Sequence, residues 1–372
     1  MGPLAGVKVI EIAGLGAAPY GCMMLADMGA EVVRVDRFGG SGTPENSPLL
    51  RSRRCITLDL KQESALKLVL AMVEKADVLI EAFRPGVAER LGIGPEACFA
   101  RNSRLVYGRM TGWGQTGPLA QSAGHDLNYI GLAGLLHQIG PTGGKPVVPL
   151  NVIGDFGGGG LLLAFGVLCA LWEARQSGRG QVVDAAMLDG ALSFMAMFFG
   201  YRALGQFSDR TGEHLLGGGA PYYNTYETLD GLHLAVAPLE PKFYREFLRR
   251  MGLDTERWRD AGLRALSERA SESEWPALKR ELEDIFKTKT RADWCALFEG
   301  SDACVTPVLT LAEAAEHPHN RARNAFVEVD GLLQNAPAPR FSRTVPAPPT
   351  APPKAGADAL AVLADWGVEW RH

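Results

Sequence analysis

The sequence predicts an α/β fold: a mostly parallel sheet covered by helices, followed by a smaller α+β domain. Three observations support this prediction. Strand and helix patterns alternate up to about Leu188, a β-hairpin and amphipathic helices follow, and a proline-rich stretch at 336–353 precedes a last short helix. Alternating strands and helices predict parallel strands, because each crossover helix returns the chain to the same end of the sheet.

The first half carries the parallel-sheet pattern. Its strands are short apolar runs, and its helices carry apolar side chains three and four residues apart. Glu63–Lys75 illustrates the helical spacing, with Leu66, Val69, Leu70 and Val73 on one face. The predicted strands are Val7–Ile12, Glu31–Val35, Val78–Phe83 and Leu105–Met110, and the predicted helices are Pro19–Met28, Glu63–Lys75, Tyr129–Ile139 and Leu161–Trp172.

The second half begins with a hairpin. Tyr222–Thr228 and Leu232–Ala237 are predicted strands, and the Leu229-Asp230-Gly231 sequence between them is typical of a hairpin turn. The proline-rich stretch is predicted to be an extended crossing segment. Helices are predicted at Phe243–Met251, Ala265–Phe286 and Asp358–Trp366.

The composition is that of a globular protein. The 372 residues are 47% hydrophobic and 22% charged, which suffices for two domains with sizeable cores. The net charge of −4 gives no sign of general nucleic-acid or membrane-surface binding. We therefore expect no nucleic-acid partner.

The cysteines and apolar runs indicate a location. Six scattered cysteines without a Cys-x-x-Cys pair favour free thiols in a reducing compartment over disulfides or a metal site. No signal-peptide pattern precedes Val7, and the longest apolar run, Leu161–Trp172, is shorter than the roughly 18 residues of a membrane span. We expect a cytoplasmic protein with no metal site and no transmembrane helix.

One segment is basic in an otherwise acidic chain. Between Glu31 and Lys61 there are six basic and four acidic residues. Such a local excess indicates an anionic ligand, although any single arginine is better explained as solvated surface. The basic residues are Arg34, Arg37, Arg51, Arg53, Arg54 and Lys61.

Two titratable residues stand beside glycines before predicted helices. His125 lies in Gly124-His125-Asp126, and Asp155 lies in Gly154-Asp155-Phe156, which a run of four glycines follows. A helix start stabilises negative charge, and glycine lets a ligand approach the backbone. The pair suggests proton transfer on a bound small molecule.

A competing nucleotide site is weaker. Gly14 and Gly16 follow a strand, and Asp36 comes 20 residues after Gly16, close to the dinucleotide fingerprint. Pro19 occupies the place of the third small residue. A tight strand-to-helix turn with Pro19 at the helix start is therefore favoured over an NAD site.

Eight ordered stretches are spread over almost the whole chain: Leu25–Arg37, Thr57–Lys61, Ala76–Val87, Met110–Pro118, Gly124–Asp126, Gly154–Phe156, Gly218–Tyr223 and Ser301–Val308. Together they resemble the class III CoA-transferase (CaiB/BaiF) family, and within it the alpha-methylacyl-CoA racemase branch. The resemblance implies a Rossmann-like large domain, a smaller α+β domain and an interlocked homodimer. The implied boundaries are 1–186 for the large CoA-binding domain, 187–223 for a linker, 224–316 for the small domain, 317–329 for a second linker and 330–372 for the return to the large domain.

The resemblance also implies a CoA site. The substrate would be an acyl-CoA thioester, so CoA belongs to the substrate and no separate cofactor is implied. The basic segment fits this, because the phosphates of CoA need cationic partners. The implied CoA-binding and substrate-binding residues are Arg37, Leu58, Asp59, Leu60, Lys61, Ala82, Phe83, Arg84, Arg90, Gly124, His125, Asp126, Leu127, Asn128 and Tyr129.

The implied reaction interconverts (2R)- and (2S)-2-methylacyl-CoA thioesters. A thioester acidifies its α-carbon, so one base can remove the α-proton while another group returns a proton to the opposite face. His125 and Asp155 suit these roles, and the backbone N–H of Asp126 is a candidate donor to the enolate oxygen. Glu240 matches the family carboxylate that partners the catalytic histidine. Without the resemblance, the residues indicate only that Glu240 is a carboxylate near a helix N-terminus, where the helix dipole stabilises it.

Two other functions remain open. In a class III CoA-transferase, the aspartate at position 155 would be a covalent nucleophile. A non-catalytic acyl-CoA-binding protein would need none of His125, Asp155 and Glu240. The acyl group is also open, since Met110, Met187, Met195 and Met197 could line an apolar pocket or simply pack in the core.

Overall fold

The computed structural model describes residues 2–40, 42–44, 46–262 and 272–369 and divides the chain into two compact units. Unit 1 comprises Met1–Leu135, Pro149–Ala196 and His319–His372. Unit 2 comprises Leu136–Val148 and Met197–Pro318.

A six-stranded sheet forms the centre of unit 1. Every neighbouring pair is parallel, in the order β3-β2-β1-β4-β5-β6, which confirms the predicted α/β fold. The order reverses between β1 and β4, and ligands of such sheets bind beyond the carboxyl ends of the strands at this reversal. The strands are β1 (Lys8–Ile12), β2 (Glu31–Asp36), β3 (Arg53–Thr57), β4 (Val78–Glu81), β5 (Val106–Thr111) and β6 (Gln181–Ala186).

Helices cover both faces of this sheet. Val9 of β1 packs in a core with the first and sixth helices, and Ile10 packs in a separate core with the second and last. Burial on both faces explains the continuous apolar runs of the strands. The helices of unit 1 are α1 (Ala17–Asp27), α2 (Glu63–Val73), α3 (Val87–Arg90), α4 (Pro95–Phe99), α5 (Asp126–Leu132), α6 (Leu162–Ser177), α7 (Met187–Ser193) and, near the C-terminus, α15 (Ala359–Trp366).

The region of Asp155 differs from its prediction. Asp155 does not precede a helix that starts at Leu161, because it lies in the first turn of a π-helical segment, Val152–Leu161, that runs directly into α6. The glycines make this path possible. A Cβ on Gly160 would lie 2.4 Å from Ala17 O, and one on Gly158 would lie 2.9 Å from Ala191 N.

The combined helical stretch is longer than the apolar run in the sequence. Val152–Ser177 is long and apolar enough to cross a membrane by length and composition, and 39% of its most apolar window is buried. Helix α5 is shorter than predicted and begins earlier, so that His125 is its N-cap residue.

Unit 2 contains a three-stranded antiparallel sheet and helices. The predicted hairpin is present as β7 (Asn224–Glu227) and β8 (His233–Val236), with β9 (Val305–Pro307) on the other side of β8. The helices are α8 (Ala196–Ala203), α9 (Pro241–Met251), α10 (Glu256–Ala261), α11 (Trp275–Phe286), α12 (Arg291–Phe298) and α13 (Leu311–Glu316). Residues 265–271 of the predicted helix Ala265–Phe286 lie outside the described residues.

The remaining elements follow unit 2. Helix α14 (Pro318–Ala322) leads to the hairpin of β10 (Phe326–Val329) and β11 (Leu332–Asn335), and the proline-rich stretch then runs to α15. Short 3₁₀ helices occur at Pro48–Leu50, Leu136–Gln138, Leu215–Gly217 and Glu272–Glu274.

The predicted domain boundaries place 136–148 in the large domain, but this segment clusters with unit 2. Hydrogen bonds explain the difference. His137 Nε2 contacts Asp209 O at 2.6 Å, and Thr142 Oγ1 donates to Gly212 O at 2.7 Å.

Candidate active site

A cavity of about 710 Å³ opens at the carboxyl ends of five strands of unit 1. Each strand is followed by a segment that lines it: Ala13–Leu15 after β1, Arg37 after β2, Leu58–Lys61 after β3, Ala82–Pro85 after β4 and Gly112–Trp113 after β5. The cavity therefore spans the reversal of strand order, where parallel α/β sheets bind their ligands.

Three cationic side chains line this cavity: Arg37, Lys61 and Arg84. Arg37 is braced by a hydrogen bond from its Nε to Gly40 O at 2.7 Å. The cavity therefore offers separated positive charges for an extended anion such as a nucleotide phosphate chain.

Most of the basic segment has another role, which corrects the interpretation of the whole cluster as an anion site. Arg34 and Arg53 are buried and both pair with Glu11, at 2.6 and 3.1 Å. Arg51 is buried against Asp27, and Arg54 pairs with Glu31 and Asp365. Only Arg37 and Lys61 of the six line the cavity.

His125 faces the cavity from the start of α5. Its backbone N–H donates to Asn128 Oδ1 at 3.0 Å, which fixes the entry of the chain into the helix. The N–H groups of Asp126 and Leu127 have no carbonyl four residues back within the helix, as at any helix start. An oxyanion beside His125 would therefore meet unpaired backbone donors.

Asp155 interacts electrostatically with His125 but does not line the 710 Å³ cavity. Asn151 Nδ2 donates to its Oδ2 at 3.0 Å, and a Cβ on Gly16 would lie 3.3 Å from the same oxygen. Burial and the negative charge of Asp126 raise the pKa of Asp155, and the Asn151 hydrogen bond and His125 lower it in part. A carboxyl with a raised pKa can both accept and return a proton near neutral pH.

Two aromatic residues shape the wall next to His125. The rings of Trp113 and Tyr129 meet edge to face at 4.7 Å between centroids. Gly112 and Gly124 permit this packing, because a Cβ on either would lie within 2.8 Å of the Tyr129 ring. The sequence analysis did not single out Trp113. The available signal was a glycine directly before each residue of this wall, Gly112 before Trp113 and Gly124 before His125.

Most implied substrate residues line one cavity: Arg37, Leu58, Asp59, Leu60, Lys61, Ala82, Phe83, Arg84, Gly124, His125 and Tyr129. Four others do not. Asp126 is buried, Leu127 and Asn128 are exposed on α5, and Arg90 ends α3. Of the four methionines, Met110 and Met187 line the cavity. Glu240 lies in unit 2, as the N-cap residue of α9.

The profile of CoA-transferase family III matches residues 4–359. The chain belongs to this family. The resemblance seen in the sequence is thereby confirmed, and the family fold is confirmed by solved structures. A CaiB/BaiF family protein from Brucella suis superposes with a TM-score of 0.82 at 27% identity, covering 98% of this chain and 99% of that one.

Other members of CoA-transferase family III are similar over nearly the full length. The alpha-methylacyl-CoA racemase of Mus musculus is 44% identical over 98% of this chain and 93% of its own. The human protein of the same name is 41% identical over 91% and 89%. The acetyl-CoA:oxalate CoA-transferase of Acetobacter aceti is 29% identical over 89% and 87%.

Proposed function

We propose that this protein is an alpha-methylacyl-CoA racemase that interconverts (2R)- and (2S)-2-methylacyl-CoA thioesters. The observation that carries the proposal is that His125 lies on the cavity wall and interacts electrostatically with Asp155, whose pKa burial raises. The 44% identity to a protein named for this activity supports it.

The proposed reaction is a 1,1-proton transfer. One base removes the α-proton, and the electron pair of the C–H bond moves into the thioester carbonyl to form an enolate. The other group then returns a proton to the opposite face, which restores the carbonyl and inverts the α-carbon. His125 and Asp155 exchange these roles between the two reaction directions. The overall reaction neither consumes nor releases a proton in either direction.

The developing enolate oxygen needs a donor. We assign this role to the backbone N–H of Asp126, at the start of α5, where the helix dipole also favours negative charge. Arg37, Lys61 and Arg84 would hold the phosphates of CoA in the cavity. CoA is then part of the substrate, and we propose no additional cofactor.

We further propose an interlocked homodimer. Leu161, Phe165, Leu168 and Trp172 form a stripe of exposed apolar side chains along one face of the Val152–Ser177 helix, and the opposite face packs on the sheet. A helix that is apolar on both faces is normally covered on both. A second copy of the chain would cover the stripe.

We place this reaction in the cytoplasm, since all six cysteines are free. The competing function is acyl transfer with Asp155 as nucleophile, as in the relatives named CoA-transferases. Incubation of one 2-methylacyl-CoA epimer without any acceptor acid separates the two. The racemase produces the other epimer, whereas a transferase needs an added carboxylate and produces a new thioester.

His125→Gln and Asp155→Asn test the two-base assignment. Each substitution removes one proton-transfer group and is expected to lower kcat for epimerisation by about 100- to 10,000-fold. Binding of the CoA ester should change little, because CoA is held by the cationic side chains. Near wild-type turnover in either variant would rule out the two-base scheme.

A further inference from the structure

The side chain of Asp126 bonds to the helix turn that carries Asp155. Asp126 is the first residue of α5, directly after His125, and it is buried. Its Oδ2 accepts the backbone N–H of Gly154 at 2.6 Å and that of Asp155 at 2.8 Å. One carboxylate oxygen therefore joins the turn that carries Asp155 to the helix start that carries His125.

This contact depends on a glycine. A Cβ on Gly154 would lie 2.7 Å from Asp126 Oδ2 and 2.9 Å from its Cγ, which is closer than real Cβ atoms approach. Any other residue at 154 would displace the Asp126 carboxylate or move the two segments apart. The other oxygen, Asp126 Oδ1, is buried and has no hydrogen-bond partner among the described residues.

We propose that the Asp126 carboxylate is a positioning residue that holds the carboxyl of Asp155 at a fixed place relative to His125. This inference rests on the proposed racemase function, which assigned Asp126 only a backbone role. Two bases on opposite faces of one α-carbon tolerate little relative movement, since a misplacement of about 1 Å can lower a rate about 100-fold.

The same carboxylate has an electrostatic effect on Asp155. Burial is the main cause of the raised pKa of Asp155. Among the neighbouring groups, the Asn151 hydrogen bond lowers this pKa, the charge of Asp126 raises it and His125 lowers it. Burial raises the pKa of Tyr129, and the negative charge of Asp155 raises it further. Helix α1 contributes Gly16 beside Asp155 and Tyr20 stacked on Phe156.

Two substitutions separate the effect of the hydrogen bonds to Asp126 from the effect of its negative charge. Asp126→Asn keeps an oxygen that can accept both N–H groups but removes the charge, whereas Asp126→Ala removes both. Asp184→Asn is the matched control, because Asp184 Oδ2 also accepts a backbone N–H, that of Gln115 at 3.0 Å, outside the cavity lining.

We expect Asp126→Ala to lower kcat about 100-fold, with CoA-ester binding within about twofold of wild type. Asp126→Asn should retain most of kcat. For the reaction direction that uses Asp155 as base, the acid limb of the kcat–pH profile of this variant should move to lower pH. Loss of the negative charge of Asp126 lowers the pKa of Asp155, so the carboxylate base forms at lower pH. Asp184→Asn should change neither quantity.

Amide hydrogen exchange of the 151–161 peptide gives a readout independent of activity. Exchange should be faster in Asp126→Ala than in wild type, and near wild type in Asp126→Asn. Three outcomes would overturn the positioning role. They are unchanged amide exchange in Asp126→Ala, unchanged kcat in Asp126→Ala, and equal losses of kcat in both Asp126 variants without a shift of the acid limb. A wild-type protein that does not epimerise overturns the proposed function instead.

Discussion

The side-chain amide of Asn151 donates a hydrogen bond to Asp155 Oδ2 at 3.0 Å. The two residues are four positions apart, so the bond spans the first turn of the π-helical segment. It favours the ionised carboxylate and opposes the effects of burial and of Asp126 on the pKa of Asp155. The tendency of Asp155 to hold a proton therefore results from opposing neighbours.

Asn151→Ala is expected to move the acid limb of epimerisation to higher pH. Loss of the hydrogen bond raises the pKa of Asp155 further, so a higher pH is needed to form the carboxylate base. The measurement is kcat against pH in the direction that uses Asp155 as base. The shift should be opposite in sign to that of Asp126→Asn, and a shift of the same sign in both variants would contradict the assignment.

Gly16→Ala should impair catalysis more than it impairs stability. Gly16 has φ +62°, and its new Cβ would lie 3.3 Å from Asp155 Oδ2. Gly39 has φ +83° with no atom within 4 Å of such a Cβ, which makes Gly39→Ala the matched control. Each variant should lose about 1–3 kcal/mol of unfolding free energy from backbone strain. Gly16→Ala should lose the more, because ψ −105° places Gly16 outside the left-handed helical region.

Only Gly16→Ala should also lower kcat, because only its methyl group contacts the proposed base. Chemical denaturation and steady-state kinetics on both variants measure the two effects. Equal kcat values in the two alanine variants would show that Gly16 serves the turn alone.

Lys61→Ala should weaken binding of CoA esters by about tenfold or more, with kcat nearly unchanged. Hydrogen bonds to charged groups contribute about 1.5–3 kcal/mol, and 1.4 kcal/mol corresponds to tenfold in affinity. Arg54→Ala is the control, since Arg54 pairs with Glu31 and Asp365 and does not line the cavity.

Calorimetric titration of CoA at low and moderate salt provides the measurement. The difference between the two variants should shrink as salt rises. If Lys61→Ala and Arg54→Ala bind CoA with equal affinity, Lys61 does not contact the phosphates of CoA.

Trp172→Glu should convert the proposed dimer to monomers. Trp172 belongs to the exposed apolar stripe, and a carboxylate there would be buried unpaired in a dimer interface. Leu360→Glu is the control, because Leu360 is also an exposed apolar residue but lies on α15, outside the stripe. Light scattering after size-exclusion chromatography should give half the wild-type mass for the first variant only. A monomeric wild type would refute the dimer.

The sequence predicted those parts of the fold that rest on local patterns. β1, β2, β4 and β5 are apolar runs buried on both faces, and the hairpin of unit 2 has a recognisable turn. β3 was missed because Arg53 and Arg54 interrupt its apolar pattern, and the partner of Arg53, Glu11, is 42 residues away in the chain. Pairing over such distances leaves no local signal.

The site shows the same limit. Spacing beside glycines indicated His125 and Asp155, and the resemblance indicated most of the cavity wall. The Asp126–Gly154 contact and the Asn151 bond were not predicted, because a ten-residue π-helical segment has no established sequence pattern.

Deuterium incorporation at the α-carbon is the decisive test of proton transfer by His125 and Asp155. A single 2-methylacyl-CoA epimer is incubated with the protein in deuterated water, without acceptor acid, and followed by NMR and chiral separation. In a two-base racemase, the α-proton is replaced by deuterium while both epimers accumulate, and both processes are lost in His125→Gln and Asp155→Asn. An unlabelled α-carbon, with acyl transfer once a free carboxylate is added, would contradict this mechanism.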